Sequence, residues 1–123
     1  MVQKSLVQNE IEKQASAVVQ KQLEAYNARD VDTFVSCYST DVEVLDFPSG
    51  ELICRGKSFF TARYRQLFEE NPRLCCTLLS RIVIGNRVVD EESVAKDAQD
   101  ARVHAAVIYE VIDEQICRVW FIK

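Results

Sequence analysis

The spacing of apolar residues changes its period near residue 72, and this change limits the folds that the chain can adopt. From about Glu10 to Arg29 apolar side chains recur every three or four residues, which is typical of an amphipathic helix. The segments 31–39 and 57–70 show the same spacing over shorter lengths and predict two further helices. After residue 73 the pattern becomes that of β-strands. This order indicates an α+β fold with three helices and a mostly antiparallel sheet.

Turn-forming residues divide the β part of the chain into hairpins. Gly85-Asn86 and Asp113-Glu114 are two-residue turn signals between alternating segments. Pro48-Ser49-Gly50 predicts a further turn, which places a small hairpin between the second and third helices. The predicted strands are therefore 42–47, 51–56, 74–84, 87–94, 101–112 and 115–122.

The composition is that of a globular protein, because 48% of the 123 residues are hydrophobic and 28% are charged. We expect residues 1–123 to form a single domain. The net charge is −4 and the basic residues do not cluster, which argues against nucleic-acid binding. Without a long apolar run or a signal peptide, a cytoplasmic protein without membrane contact is expected. Five cysteines and one histidine in no metal-ligand spacing predict free thiols, no metal and no cofactor.

The last two strands carry apolar residues on both faces of the predicted sheet. A sheet with two apolar faces needs two covers, and the three helices can supply only one. We therefore expect a homodimer in which the outer face of the sheet packs against a second copy. Plain alternation places Ile116, Trp120 and Ile122 on one face and Cys117, Val119 and Phe121 on the other.

Asp46 stands where an apolar residue is expected, because alternation puts it on the same strand face as Val42 and Val44. Two interpretations of this carboxylate are open. It can lie in an apolar pocket, where poor solvation raises its pKa and makes it a base. It can also bond to the Pro48-Ser49-Gly50 turn, since aspartate often caps turns.

Much of the chain resembles a known superfamily. The run "AYNARDVDTFVSCYSTDVEVLDFPSGELICRGKSFFTARYRQLF" and the closing "YEVIDEQICRVWFI" are similar to nuclear transport factor 2-like (NTF2-like) proteins, specifically the SnoaL-like, ketosteroid-isomerase-like branch. The resemblance implies a cystatin-like cone in which a curved sheet wraps around helices and encloses one pocket. It also implies that dimers are common.

The resemblance assigns roles to several residues. Asp46 falls on the position of the general base of the steroid isomerases, and Tyr38 and Tyr64 fall on tyrosines of a buried hydrogen-bond network. Gln22 occupies the position of the oxyanion-hole tyrosine, and the partner acid falls at about Val107 or Ile108, where no donor exists. A competent ketosteroid isomerase is therefore not expected, since one missing donor costs about a hundredfold to a thousandfold in rate.

Other candidate ligand-binding residues follow from the pattern alone. Gln22 interrupts the apolar stripe of the first helix, so its amide points into the core or a cavity. Tyr26, Tyr38 and Tyr64 lie on inward helix faces, as core residues or as ligand contacts. Further candidates come from the strands: Asp90, Glu92, Arg118 and Trp120.

Each strand candidate has two interpretations. Asp90 and Glu92 share a face about 7 Å apart, as a cation-binding or acid–base pair or as a solvated edge. Arg118 faces Tyr109 if Asp113-Glu114 is a two-residue turn, and with Trp120 forms a ligand-orienting patch or a dimer contact. His104 is a dimer-interface or core histidine, or a catalytic one.

The predicted function is binding of one small apolar or carbonyl-bearing molecule in a single apolar pocket. Asp46 would transfer a proton in an isomerase- or cyclase-type reaction without a cofactor. The alternative is a non-catalytic binding or dimerisation module with a small or filled pocket. In this superfamily the fold alone does not decide between these functions.

Overall fold

A computed structural model describes residues 5–97 and 101–122 of the chain. It confirms the α+β architecture, with three helices and one six-stranded sheet. The helices are α1 (Leu6–Ala28), α2 (Val31–Ser36) and α3 (Lys57–Glu70). The strands are β1 (Tyr38–Asp46), β2 (Leu52–Arg55), β3 (Cys75–Ile84), β4 (Arg87–Ala95), β5 (Val103–Ile112) and β6 (Gln115–Ile122).

The strands lie side by side in the order β2-β1-β6-β5-β4-β3. Neighbouring strands are antiparallel except β1 and β6, which pair in parallel. The helices cover one face, which we name the inner face, and the opposite face is the outer face. None of the helices in the described ranges is long and apolar enough to cross a membrane.

Local sequence signals account for the helix ends. Ser5 begins α1, because its hydroxyl accepts a hydrogen bond from the Gln8 N–H at 3.0 Å. Asp30 caps α2 in the same way through the Thr33 N–H, as the sequence predicted. Gly56 precedes α3 with φ of 95°, a conformation that favours glycine.

Tyr38 lies on β1 and not on the second helix, where the apolar spacing had placed it. The helix ends at Ser36, and Tyr38 is instead paired with Ile116 of β6. The side chain still points into the core, where it is 3% exposed. The predicted inward orientation is therefore correct although the predicted element is wrong.

An aromatic cluster fills the space between α2, α3 and the sheet. The ring of Phe34 is 1% exposed, and the ring centres of Tyr38, Phe60 and Tyr64 lie 5.1, 5.8 and 4.8 Å from it. Truncation of a buried ring such as Phe34 typically costs about 3–5 kcal/mol. This cluster forms one wall of the cavity described below.

A β-bulge at Cys117 corrects the predicted faces of β6. Val111 pairs with Ile116, but Glu110 pairs with Arg118, so one extra residue is inserted in β6. Ile116 consequently lies on the inner face with Val119 and Phe121, whereas alternation had put it on the face of Trp120. The bulge also separates Arg118 from Tyr109, which pairs with Val119.

Candidate functional site

A cavity of about 120 Å³ lies between the helices and the inner face of the sheet. Every element except β2 contributes to its wall, which is mostly aromatic and aliphatic. The polar exceptions are an amide, a thiol, a carboxyl group and the tyrosine hydroxyls. The lining residues are Gln22, Leu23, Tyr26, Phe34, Tyr38, Phe60, Tyr64, Cys76, Glu92, Val94, Ala105, Val107, Tyr109, Val119 and Phe121.

A chain of hydrogen bonds crosses this cavity and ends at a carboxyl group. The Tyr38 hydroxyl donates to Gln22 Oε1 at 2.9 Å, and Gln22 Nε2 donates to the Tyr109 hydroxyl at 3.3 Å. The Tyr109 hydroxyl then donates to Glu92 Oε2 at 3.4 Å. Each of the four groups comes from a different element, so the folded chain holds them in a fixed order.

Glu92 supplies the carboxyl group among the residues that line this cavity. Burial disfavours its charged form and raises its pKa to about 7, and the nearby charge of Asp90 acts in the same direction. Hydrogen bonds with Cys76 and Tyr109 and the charge of Arg81 oppose this rise without cancelling it. Near neutral pH the carboxyl group can therefore both donate and accept a proton.

Asp90 is held differently, although it lies on the same strand face. Its carboxylate is fully buried and accepts two hydrogen bonds from Arg81, from Nε at 2.6 Å and from Nη2 at 2.9 Å. Arg81 also donates to Gln20 Oε1 at 2.9 Å. The hydrogen bond to Asp90 raises the pKa of Arg81, so the guanidinium stays charged. Among the described residues Glu92 has no such salt bridge.

The cavity tyrosines are neutral donors. Burial raises the pKa of Tyr64 to about 12 and raises the pKa of Tyr38, Tyr109 and Tyr26 as well. Burial likewise raises the pKa of the Cys76 thiol, which excludes a thiolate nucleophile at neutral pH. Among the tyrosine, thiol and carboxyl groups that line the cavity, Glu92 is thus the one whose pKa lies near neutral pH.

The structure brings together five of the residues that the sequence singled out. Gln22, Tyr26, Tyr38, Tyr64 and Glu92 all line the cavity. Asp90 lies on the same inner face with its carboxylate bonded to Arg81. The interpretation of Asp90 and Glu92 as a solvated edge is wrong, because their side chains are enclosed.

Asp46 does not line the cavity, which corrects its prediction as the pocket base. It lies at the end of β1, where its carboxylate accepts a hydrogen bond from the Ser49 hydroxyl at 2.7 Å. The Ser49 oxygen in turn accepts from the Glu51 N–H, and the Gly50 N–H donates to the Asp46 carbonyl. These bonds match the alternative in which Asp46 stabilises the turn.

Arg118 and Trp120 also lie away from the cavity, on the outer face. Arg118 donates to Glu43 at 3.0 Å and to Glu110 at 2.8 Å. The predicted patch with Tyr109 does not form, because the bulge at Cys117 turns Arg118 to the face opposite Tyr109. Neither residue can contact a ligand in the cavity.

His104 is exposed on the outer face, which excludes a core position. Its Nε2 lies 2.7 Å from Glu91 Oε2, and the Ser80 hydroxyl donates to the other Glu91 oxygen at 2.9 Å. Within residues 5–97 and 101–122 no three His, Cys, Asp or Glu side chains converge as metal ligands. The five cysteines are free thiols.

Cys76 and Arg81 were not predicted as site residues, and Tyr109 was predicted only as part of a patch with Arg118 and Trp120. Tyr109 carried a signal, since it alternates with Val107 and Val111 on the inner face of β5. Arg81 carried none. A second bulge between Leu78 and Ser80 reverses the faces of β3, so alternation from Cys76 puts Arg81 on the wrong side.

Comparisons with known proteins agree with this fold. A family model described as SnoaL-like domain matches residues 19–119. Among curated proteins no significant match was found.

Three solved structures illustrate the similarity. An uncharacterised cystatin-fold protein from Novosphingobium aromaticivorans is 23% identical, with a TM-score of 0.80, over 89% of this chain and 97% of its own. A candidate ketosteroid isomerase from Kribbella flavida is 21% identical, with a TM-score of 0.74, over 89% and 77%. An LEH-like epoxide hydrolase from M. tuberculosis is 22% identical, with a TM-score of 0.69, over 89% and 84%. At these identities the similarity concerns the fold alone.

Proposed function

The chain belongs to the SnoaL-like domain family, and from this premise we propose that it binds one small carbonyl-bearing molecule in the central cavity, where Glu92 transfers a proton to or from it. The single observation that carries this proposal is the position of Glu92. It is a buried carboxyl group with a pKa of about 7 in a cavity lined by apolar side chains. General bases and acids work best when their pKa lies near the working pH.

The other polar groups of the cavity suit a carbonyl substrate. Proton removal next to a carbonyl moves negative charge onto the oxygen, which hydrogen-bond donors then stabilise. The hydroxyl of Tyr109 and the amide of Gln22 lie in line with Glu92 and are neutral donors. No step requires a cofactor. Asp46, outside the cavity, has no part in this reaction.

The volume of the cavity limits the size of the part of the ligand that can react inside it. A cavity of about 150 Å³ accommodates benzene in a well-studied case, and sites for larger organic ligands measure roughly 300 Å³ or more. The cavity here measures about 120 Å³. Since it is slightly smaller than the benzene-binding cavity, it encloses at most a single six-membered ring or a short branched chain, and it is too small for a steroid.

Exchange of α-hydrogens provides a direct test. Cyclohexanone in D₂O is followed by proton NMR with the full chain present, at several values between pH 5 and pH 9. We expect exchange about a hundredfold faster than in buffer, a typical contribution of general base catalysis. The rate should rise through about pH 7, because the carboxylate form of Glu92 is the base. Glu92→Gln should reduce the rate to that of buffer.

Glu91→Gln is the matched control, because Glu91 neighbours Glu92 on β4 but points to the outer face and contacts His104. The Glu91→Gln variant should catalyse exchange of the α-hydrogens of cyclohexanone at the same rate as the unaltered chain. Equal rates for the unaltered chain and Glu92→Gln would refute the assignment of Glu92. The same conclusion would follow if the unaltered chain produced no exchange above buffer.

A second candidate function is a non-catalytic binding module. It is favoured by the crowding of the cavity, where the ring centres of Tyr38 and Phe60 are 4.4 Å apart and those of Phe60 and Tyr64 are 4.6 Å apart. Binding of cyclohexanone without exchange would identify this function. Absence of both binding and exchange would indicate a filled core with a structural role.

A further inference from the structure

We propose that a second cavity beside the first binds the carboxylate end of the same ligand through Arg63, so that the natural ligand is a ring-bearing organic acid. The proposal rests on the function assigned to the central cavity. It adds a second subsite and the chemical class of the molecule that spans both.

The two cavities share a wall. The second cavity measures about 200 Å³ and lies between β1, β2, α3 and β6. Phe60, Tyr64 and Phe121 line both cavities. Because these three aromatic side chains border both cavities, a ligand that spans the two would have to pass along them.

The charged residues of the two cavities are opposite in sign. Glu92 is the charged side chain that lines the central cavity, and Arg63 is the one that lines the second cavity. Spacing on α3 explains the placement, because residues three and four apart lie on one helix face and Phe60, Arg63 and Tyr64 are so spaced. The rest of the second wall is apolar or thiol-bearing, as with Val44, Ile53 and Cys54.

The guanidinium of Arg63 is available to a ligand. Within the described residues it forms no ion pair, whereas Arg65 on the same helix lies 3.9 Å from Asp32 and Arg55 on β2 lies 2.6 Å from Glu43. The charge of Arg63 acts to lower the pKa of both Tyr64 and Cys54, which places it near the cavity wall. A guanidinium pairs with a planar carboxylate through two parallel hydrogen bonds.

The orientation of the ligand follows from these charges. At neutral pH a carboxylate in the central cavity would meet the partly ionised carboxyl group of Glu92 in a poorly solvated space, which is unfavourable. The same carboxylate beside Arg63 meets a cation near solvent. The ring therefore lies towards Glu92 and the acid lies towards Arg63.

Binding of ω-phenylalkanoates tests the proposal, with phenylacetate, 3-phenylpropanoate, 4-phenylbutanoate and 5-phenylpentanoate as probes. Each acid is compared with its primary amide, which has nearly the same shape and no charge. Kd values are measured at pH 7.5 by NMR titration of the full chain. We expect the best acid to bind about tenfold more tightly than its amide, as is typical of one charge-assisted contact.

Three variants test which side chain causes the tighter binding of the acid than of its amide. Arg63→Gln should abolish it and leave binding of the amide unchanged, and Arg65→Gln on the same helix should retain it. Glu92→Gln should also retain it, even where exchange of cyclohexanone is lost, so the two proposals can fail independently. Equal binding of acid and amide, a preference that persists in Arg63→Gln, or no binding of any probe at millimolar concentration would overturn the inference. So would a preference that depends on Glu92.

Discussion

Glu91 and Glu92 are neighbours on β4, yet the two faces of the sheet give their carboxyl groups opposite properties. On the outer face, hydrogen bonds from His104 and Ser80 hold the pKa of Glu91 below its usual value. On the inner face, burial raises the pKa of Glu92 to about 7. One step along a strand is thus enough to separate a stable surface anion from an acid–base group, because the step reverses the direction of the side chain.

The same contrast holds for the ion pairs on the two faces. The outer face carries a continuous series in which Arg55 contacts Glu43, Glu43 contacts Arg118, Arg118 contacts Glu110 and Glu110 contacts Arg87. On the inner face, the part of the chain that the structure describes has one pair, Arg81 with Asp90, whose carboxylate has no contact with solvent. The arginines of the outer series are 47–62% exposed, so water screens their charges, whereas water cannot replace a lost partner on the inner face.

Removal of the Asp90 carboxylate should have the largest effect. Asp90→Ala leaves the guanidinium of Arg81, which is only 16% exposed, without its partner. The free energy of unfolding should fall by about 3–5 kcal/mol, as is typical when one member of a buried pair is deleted. Urea denaturation followed by circular dichroism measures this loss.

Glu43→Gln is the matched outer-face variant, since Glu43 also contacts arginine side chains, those of Arg55 and Arg118. These partners are largely solvated, so the loss should stay within about 1 kcal/mol. Similar losses of unfolding free energy in Asp90→Ala and Glu43→Gln would mean that ion pairs on the two faces contribute equally to stability. A double variant, Arg81→Met with Asp90→Leu, should recover much of the stability, because an apolar pair removes both buried charges.

The second prediction concerns pH. The pKa of Glu92 is about 7 in the folded chain, against an ordinary value of 4.5. Between these values the folded state binds more protons than the unfolded state, so the free energy of unfolding falls as the pH rises. The contribution of Glu92 should fall by roughly 2–3 kcal/mol from pH 4.5 to above pH 7.

Glu92→Gln should remove this dependence, so the difference in unfolding free energy between the variant and the unaltered chain should grow with pH. Urea denaturation at pH 5, 6, 7 and 8 measures it. Glu91→Gln should give no such trend in this direction, because the pKa of Glu91 is lowered and not raised. If the difference in unfolding free energy between Glu92→Gln and the unaltered chain stays constant with pH, the pKa of Glu92 is not raised in the folded chain.

The inner face was predictable from the sequence wherever the alternation is uninterrupted. Gln22 follows the regular stripe of α1, and Asp90 and Glu92 follow the regular alternation of β4, so their inward directions could be inferred. Their environment could not be inferred, because a carboxylate at a strand position is compatible with either solvent or a cavity. That distinction depends on how α1 and α3 cover the sheet.

The errors occur where a strand has an extra residue or ends. Bulges at Leu79 and Cys117 reverse the faces of β3 and β6, so neither the inward Arg81 nor the outward Arg118 follows from alternation. Neither bulge contains a glycine that would mark it. Asp46 follows the alternation of β1 but stands at its last position, where turn bonding determines the direction of its side chain.

The outer face carries exposed apolar side chains that a single chain does not cover. Ile82 and Ile84 on β3 are 56% and 66% exposed, and Trp120 on β6 is half-buried. The homodimer inferred from the sequence would bury them against a second copy, and it stays a prediction. Isologous packing would also bring the ion-pair series of each chain to the rim of the interface.

Ile82→Glu tests this assembly with the smallest expected energetic effect of the three. A charge placed within an apolar contact should weaken association about tenfold or more, which is roughly 1.4 kcal/mol or above. Sedimentation velocity over a range of concentrations measures the dissociation constant. Val7→Glu, at an exposed apolar position on α1, should leave that constant unchanged. If the unaltered chain sediments as a monomer at all concentrations, the outer face has no second copy on it, and its exposed isoleucine side chains are apolar surface of the kind that monomeric proteins tolerate in water.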